Sequence, residues 1–285
     1  MLLLEEFRAF IEGSIRGIPP IRGPRRSSPI LLEINPHKVF EIEGENGKRF
    51  KVTPIPRLRT VIVQIGYRRE VDPSVPAEIV DVSFPDPSLQ TRWYPGTEFF
   101  GEGIFITLSD NNGWMDLENE SEDVASWLDA WQKGEKYPSH VFRDPQAKDE
   151  LHPAFVWWHT LSHLLIRSIS IEAGYSSASI RERIYVEISE KGARGGILLY
   201  ATQPGSEGTF GGLVALASKE RFSVFLSRAT SLLFNCSSDP LCYESKFSSG
   251  KYCGSACYAC LFLSETSCEH RNMWLDRRVL RSDPP

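Results

Sequence analysis

The first 235 residues of this 285-residue chain contain no cysteine. That absence excludes a disulfide framework over most of its length. No apolar run approaches the ~18 residues that span a bilayer, so no transmembrane helix is expected. The opening Met1-Leu-Leu-Leu-Glu-Glu turns acidic at once, without the basic n-region and long apolar stretch of a secretory signal. Excess positive charge is also lacking. The net charge is −5 and the pI about 5.8, so unspecific affinity for nucleic acid would need a local basic face. There is no G-x-x-x-x-G-K-[ST] loop, no D-E-x-H box, no H-E-x-x-H, no pair of H-x-K motifs and no visible Ser–His–Asp arrangement. The chain is therefore expected to be neither a helicase motor nor an enzyme by itself, and a reducing cytoplasm is the expected compartment.

What is present is concentrated. All six cysteines fall between Cys236 and Cys268. Cys257-Tyr-Ala-Cys260 is a C-x-x-C, whose two-residue spacing lets both sulfurs reach one ion across a tight turn. Cys236 and Cys242 precede it with an Asp239-Pro240 turn between them, and Cys268 follows. A tetrahedral thiolate zinc site is the expectation. A disulfide framework and a thioredoxin-like redox pair are the other readings, and neither a secretory signal nor a βαβ pattern accompanies them. Six cysteines for four positions leave two over.

An apolar content of 41% and an aromatic content of 11% fit a globular protein of one or two domains. Residues 5–13 have a short amphipathic helical pattern. A Gly-, Pro- and Arg-rich stretch follows, read as an extended arm over 1–35. Its Arg16, Arg22, Arg25 and Arg26 are candidates for meeting phosphate or an acidic partner. Residues 36–150 are read as β-rich, from alternation at Val39-Phe-Glu-Ile-Glu, Phe50-Lys-Val-Thr, Val61-Ile-Val-Gln-Ile-Gly and Glu98–Leu108. Trp127 and Trp131 lie on a short helix, and 133–150 is a polar boundary.

From Leu151 the pattern turns helical, with Phe155, Trp158, Leu161, Leu165 and Ile169 at helical spacing, Pro153 at the start and Gly174 at the stop. His159 and His163 share one face, read as buried and hydrogen-bonded, with a metal pair as the other reading. Ser179 and Glu182 have capping-box spacing. Residues 184–201 read as a hairpin turning at Lys191–Gly196. Gln203–Gly212 is a glycine-rich loop, read as a packing loop or a phosphate cradle. A helix over Lys219–Phe234 delivers Cys236. Glu269–Arg281 reads as a basic-tipped helix on which Arg271, Arg277, Arg278 and Arg281 are candidate phosphate contacts. Asp276 with Arg277 is read as an anchor to the zinc module. The fold class is α+β: a β-rich N-terminal part and a mixed α/β C-terminal domain, 151–285, stapled by a cysteine zinc site.

His159-Thr-Leu-Ser-His163, Glu172-Ala-Gly-Tyr, Ser179-Ile-Arg-Glu-Arg, Gly195-Gly-Ile-Leu-Leu-Tyr, Pro204-Gly-Ser-Glu-Gly-Thr-Phe-Gly-Gly and Ala256-Cys-Tyr-Ala-Cys-Leu are familiar together. They resemble the MrfA-type zinc-binding domain of superfamily-two DNA helicases and their partners. Cys236-Ser-Ser-Asp-Pro-Leu-Cys242, Glu265-Thr-Ser-Cys-Glu, Asn272…Leu275-Asp-Arg, Pro56-Arg-Leu-Arg and Trp93-Tyr-Pro-Gly-Thr-Glu-Phe-Phe-Gly-Glu-Gly-Ile-Phe are similar to the DrmB family. That family is the non-motor partner of the DrmA helicase in DISARM phage defence. The resemblance implies a non-catalytic, zinc-containing accessory subunit that works with a DrmA-like helicase or translocase on DNA. It implies zinc ligands among Cys236, Cys242, Cys257, Cys260 and Cys268, with Cys253 the spare. Two other classes stay open: a metal-dependent nuclease or NTP-dependent enzyme using His159, His163, Glu172 and Glu207, and a pure protein–protein adaptor.

Overall fold

The structure is a computed structural model. It describes residues 2–24, 29–44, 47–68, 79–115, 122–134, 151–190, 192–204, 212–248 and 251–281. Helix α1 (Leu2–Arg16) opens the chain, followed by strands β1 (Ile18–Arg22) and β2 (Ile30–Ile34). The Gly-, Pro- and Arg-rich stretch expected as an extended arm pairs as strands where it is described, and the helix expected over residues 5–13 packs onto the sheet within α1. Phe7 and Phe10 explain why. Both are buried against Phe105 and Tyr185, with ring centroids 5.2–6.1 Å apart, and their burial contributes about 3–6 kcal/mol. Arg8 pairs with Glu187 on the edge of the same contact, Arg16 with Glu12, and Arg22 lies on β1; Arg25 and Arg26 lie outside the described residues.

Strands β3 (Phe40–Glu43), β4 (Arg49–Val63), β9 (Gly96–Leu108), β10 (Trp114–Met115), β11 (Arg181–Ser189) and β12 (Gly192–Pro204) join β1 and β2 in one sheet among the described residues. Its order is β1-β2-β4-β9-β12-β10, with β3 on β4 and β11 on β12. All pairs are antiparallel. Two small ribbons hang between β4 and β9: β5 (Gly66–Arg68) with β6 (Ile79–Asp81), and β7 (Phe84–Asp86) with β8 (Thr91–Trp93).

The sheet crosses the division expected at residue 150. β9 and β12 pair continuously from Phe99↔Pro204 to Thr107↔Gly196. The β11–β12 hairpin of the expected C-terminal domain completes the N-terminal sheet. Most of the polar stretch 133–150 lies outside the described residues, and a composition change carries no information about which strands pair across it. The hairpin also turns earlier than expected, with Ser189 facing Gly192, so Gly195 and Gly196 are strand residues. At Gly195 a side chain would overlap the Trp158 indole, which lies directly against the strand.

Alternation along the central strands supplies both sheet faces. Val52, Ile104, Ile106, Ile197 and Leu199 point to the larger core; Ile55, Phe105, Leu198 and Tyr200 point to the smaller one beneath α1. Burial on both faces is why β9 reads as a continuous apolar run. The larger core is covered by α3 (Pro153–Ala173) and α5 (Lys219–Phe234); α2 (Glu122–Lys133), α4 (Gly212–Ala215) and α6 (Arg277–Arg281) complete the helices described. α3 begins where the His152 ring Nδ1 accepts the Ala154 N–H at 3.2 Å and Pro153 fills the first turn. It stops at Gly174, left-handed at φ 71°. Nearly all of its residues up to Ile169 are buried, which places His159, Ser162 and His163 inside the protein.

Candidate metal centre

Helix α5 is capped by Ser218, whose Oγ accepts the Arg221 N–H at 3.4 Å. It ends at Asn235 and hands the chain to Cys236. The Cys236–Ser245 turn brings Cys242 back, with Cys242 N–H donating to Ser238 O at 3.0 Å. The second pair sits on a knuckle: Cys260 and Leu261 N–H groups both donate to Cys257 O, at 3.2 and 2.9 Å. These two turns oppose one another. Cys236 and Cys257 sulfurs lie 3.6 Å apart, Cys242 and Cys260 3.8 Å, and Cys257 and Cys260 3.8 Å. Four sulfurs at 2.3 Å from a tetrahedral zinc would be about 3.8 Å apart. None of the six cysteines is disulfide-bonded, so the disulfide framework does not hold.

The surroundings favour the thiolate at Cys257 and oppose it at two of its partners. Burial opposes ionisation of Cys257, but the Ala259 N–H and the neighbouring Cys236 and Cys242 thiols bring it down to about 6. Burial raises Cys242 to about 11 and raises Cys260 as well. A divalent cation overturns that penalty by replacing the protons it displaces. Backbone N–H groups of Ser238 and Cys257 approach Cys236 and Cys260 sulfurs at 3.4 and 3.3 Å. Cys253 lies apart, its thiol donating to Asn272 O at 3.0 Å, and burial pushes it up to about 11.

The candidate phosphate contacts divide. Arg277 is fully buried. Its guanidinium donates to Leu233 O at 3.1 Å, to Asp239 at 2.7 Å and to Cys242 Sγ at 3.6 Å. It braces the cysteine cluster and cannot reach a phosphate. Arg278 is also buried, against Asp276 and Asp123. Arg271 and Arg281 are exposed, and Arg281 lies 4.7 Å over Phe234 and 4.9 Å over Tyr243. The expected 269–281 helix shrinks to Arg277–Arg281, because Arg271, Asn272 and Trp274 take positive φ. Asp276 anchors this segment: its carboxylate accepts the Ser255 and Arg278 N–H groups at 3.0 Å and the Trp127 indole at 3.1 Å.

Cys268 joins a different group. Its Sγ is 3.3 Å from His159 Nε2. His159 and His163 Nε2 lie 2.9 and 3.0 Å from the same oxygen, Glu182 Oε1, and Ser162 donates to Glu182 Oε2. His163 Nδ1 is 2.9 Å from Leu261 O. Burial lowers the His159 imidazole. Burial opposes ionisation of Glu182, but the two imidazoles hold its carboxyl well below the usual range. Glu182 is therefore not the capping residue its spacing with Ser179 suggested; Ser176 caps that turn, accepting Ala178 N–H at 3.3 Å. The enzyme constellation does not assemble as expected. Glu172 pairs with Arg228 at 3.1 Å, away from the histidines, and Glu207 and the core of the glycine-rich loop lie outside the described residues. Strand alternation could have found Glu182, since it shares the inward face of β11 with Ile184.

Comparison with known proteins agrees with this geometry. Residues 161–261 match the family model of the MrfA Zn-binding domain, a span containing the four clustered cysteines but not Cys268. Over 235 residues, 79% of the chain, it is 33% identical to DISARM protein DrmB of Bacillus paralicheniformis. The chain spans 39% of that relative's length. A crystal structure of the DUF1998 helicase MrfA bound to DNA aligns with 73% of this chain and 20% of its own, at 11% identity and a TM-score of 0.33. The donor set is that of a structural zinc, and zinc is the cofactor. The chain carries a zinc-binding domain of the MrfA type and is similar to DrmB over 79% of its length.

Proposed function

We propose that this chain is a non-motor, zinc-containing accessory subunit of a DNA helicase or translocase complex, serving antiviral defence in the cytoplasm. In this reading Cys236, Cys242, Cys257 and Cys260 hold the zinc. Four thiolates close its shell and leave no position for water or substrate, so the metal shapes the protein and the motor supplies the chemistry. Among the described residues no helix is long and apolar enough to cross a membrane.

The observation that carries the reading is the outer end of the β4–β9 ladder. Val61, Ile62 and Val63 of β4 are about half exposed, and Phe84 and Trp93 on the adjoining ribbon are 65% and 60% exposed. An apolar strand pair and ribbon of this kind mark a protein-binding surface. The similarity to a DISARM protein supports a helicase-class motor as the partner, and in this reading that motor is DrmA-like. DNA contact through Arg271 and Arg281 is part of the proposal, because they are the exposed members of the original arginine set.

Co-expression with a DrmA-like motor tests it. The wild-type chain should co-elute with the motor, and Ile62→Asp with Trp93→Ser should abolish co-elution while leaving the melting temperature unchanged. A wild-type chain that never co-elutes would sink the reading. Arg271→Glu should weaken DNA retention by the complex alike for all sequences and reduce its salt dependence. Unchanged retention would favour the adaptor without DNA contact. Arg277→Met should instead destabilise the chain by about 2–4 kcal/mol, since it strips a buried brace from the cysteine cluster.

A further inference from the structure

His159, His163, Glu182 and Cys268 bring four donors to one place: all four ligand atoms lie within 4.8 Å of one another, and all four residues are buried. They come from helix α3, strand β11 and the loop before α6. We propose that they form a second metal site, a closed structural centre for a divalent zinc-class ion, separate from the four-cysteine cluster.

Proton placement is the first argument. A backbone carbonyl only accepts, so His163 Nδ1, 2.9 Å from Leu261 O, carries the ring proton of the neutral imidazole. Nε2 is then a lone pair, aimed at Glu182 Oε1 from 3.0 Å. With the ring neutral two acceptors face each other, so either a second ring proton or a metal ion lies between them, and the two further donors that converge here, His159 and Cys268, favour the metal. His159 Nε2 points at the same oxygen and at the Cys268 sulfur. One ion coordinated by both Nε2 atoms, the carboxylate and the thiolate resolves the conflict at each donor.

Charge and spacing agree. A carboxylate and a thiolate neutralise a divalent cation inside a region that water does not reach, and two imidazoles complete four ligands. This set excludes calcium and magnesium, which take oxygen ligands, and suits zinc. Tetrahedral zinc with such ligands spaces them by roughly 3.3–3.7 Å. The observed 2.9, 3.0 and 3.3 Å need only a few tenths of an ångström of expansion. The outer contacts are those of a metal site: His163 Nδ1–H donates to a backbone carbonyl and Ser162 fixes the second carboxylate oxygen. That carbonyl belongs to Leu261, the residue after Cys260, so the two centres share a strut. Full burial leaves no room for substrate, which separates this site from a hydrolytic one.

The test needs no variant. Full-length chain purified without chelator or nickel, then dialysed from a small zinc excess, should hold two zinc ions. X-ray absorption at the zinc edge should report a mean of about 2.5 sulfur and 1.5 nitrogen or oxygen neighbours per ion, from five sulfurs and three lighter donors. One zinc with an all-sulfur shell would overturn the proposal. In Cys268→Ser and His163→Gln, zinc should drop from two to one with the all-sulfur signal retained. In Cys257→Ser the remaining ion should show a shell dominated by nitrogen and oxygen. Two zinc ions persisting in both Cys268→Ser and His163→Gln would equally overturn it.

Discussion

The two donor clusters differ in almost every respect but donor number. The cysteine cluster is assembled from two neighbouring turns, is only part-buried, and is made of one residue type. The His159–His163–Glu182–Cys268 cluster is sealed, mixes three types, and joins residues 109 positions apart. The first organises loops that have almost no helix or strand of their own. The second lies where α3 meets β11 and fastens those loops to the sheet. A small module of turns cannot bury enough apolar surface to hold itself, so a metal carries that load. The inner cluster sits in a core that hydrophobic packing already holds, and there its charges decide which arrangement of helix, strand and loop is allowed.

Breaking the outer cluster should have the largest effect. Structural zinc sites contribute on the order of 10 kcal/mol to folding in small modules. Chelation, or Cys257→Ser, should lower the melting temperature and release the amides of residues 236–281 to hydrogen exchange while β9 and β12 stay protected. Unchanged thermal unfolding would remove the structural role of the metal. At the inner cluster, Glu182→Gln should cost about 3–5 kcal/mol in urea unfolding, since it removes the one buried carboxylate on which both imidazoles and Ser162 converge. Glu172→Gln is the control: its pair with Arg228 is partly exposed, and the loss should stay within about 0.5 kcal/mol. Equal costs for the two would show that the buried cluster has no special weight.

A smaller effect comes from His152, which caps α3 and packs on Trp131. Burial depresses its folded-state pKa to about 4. The unfolded chain takes up a proton on this ring below its ordinary 6.5, and the folded chain does not until about 4. Stability should therefore fall as the pH drops from 6.5 to 4, by up to roughly 3 kcal/mol, with no further change from this group below 4. In His152→Asn, which keeps an acceptor at the cap but does not titrate, that part of the slope should vanish.

The difference in legibility follows from the same contrast. C-x-x-C is a local instruction, because a tight turn alone brings both sulfurs together, and Cys257 and Cys260 could be read at sight. The long α3 helix was legible from its period, its Pro153 start and its Gly174 stop. Glu182 was misread as a cap because spacing with Ser179 is local information, and its true partners come from a helix 20 residues earlier. Arg277 had two readings, a phosphate contact and, with Asp276, an anchor to the zinc module, and the structure agrees with the anchor. The acidic partners that bury Arg277 and Arg278, Asp239 and Asp123, lie far along the chain, where a helical pattern could not assign them. The amphipathic pattern of residues 5–13 was legible as a helix, but prolines and glycines hid the strands after it, and the aromatic surface on β9 and β11 that receives Phe7 and Phe10 forms only in the folded chain.

The sequence by itself determined the zinc chemistry, the helix that delivers Cys236, and the alternation that makes strands of β4, β9 and β12. Each of these rests on residues close along the chain. Tertiary structure alone decided that one sheet runs through both halves, that two of the four arginines face inward, and that Cys268 leaves the other cysteines for two histidines and a glutamate. Those outcomes depend on which buried charges and donors must find partners once the core closes, and only the folded chain brings the partners within reach.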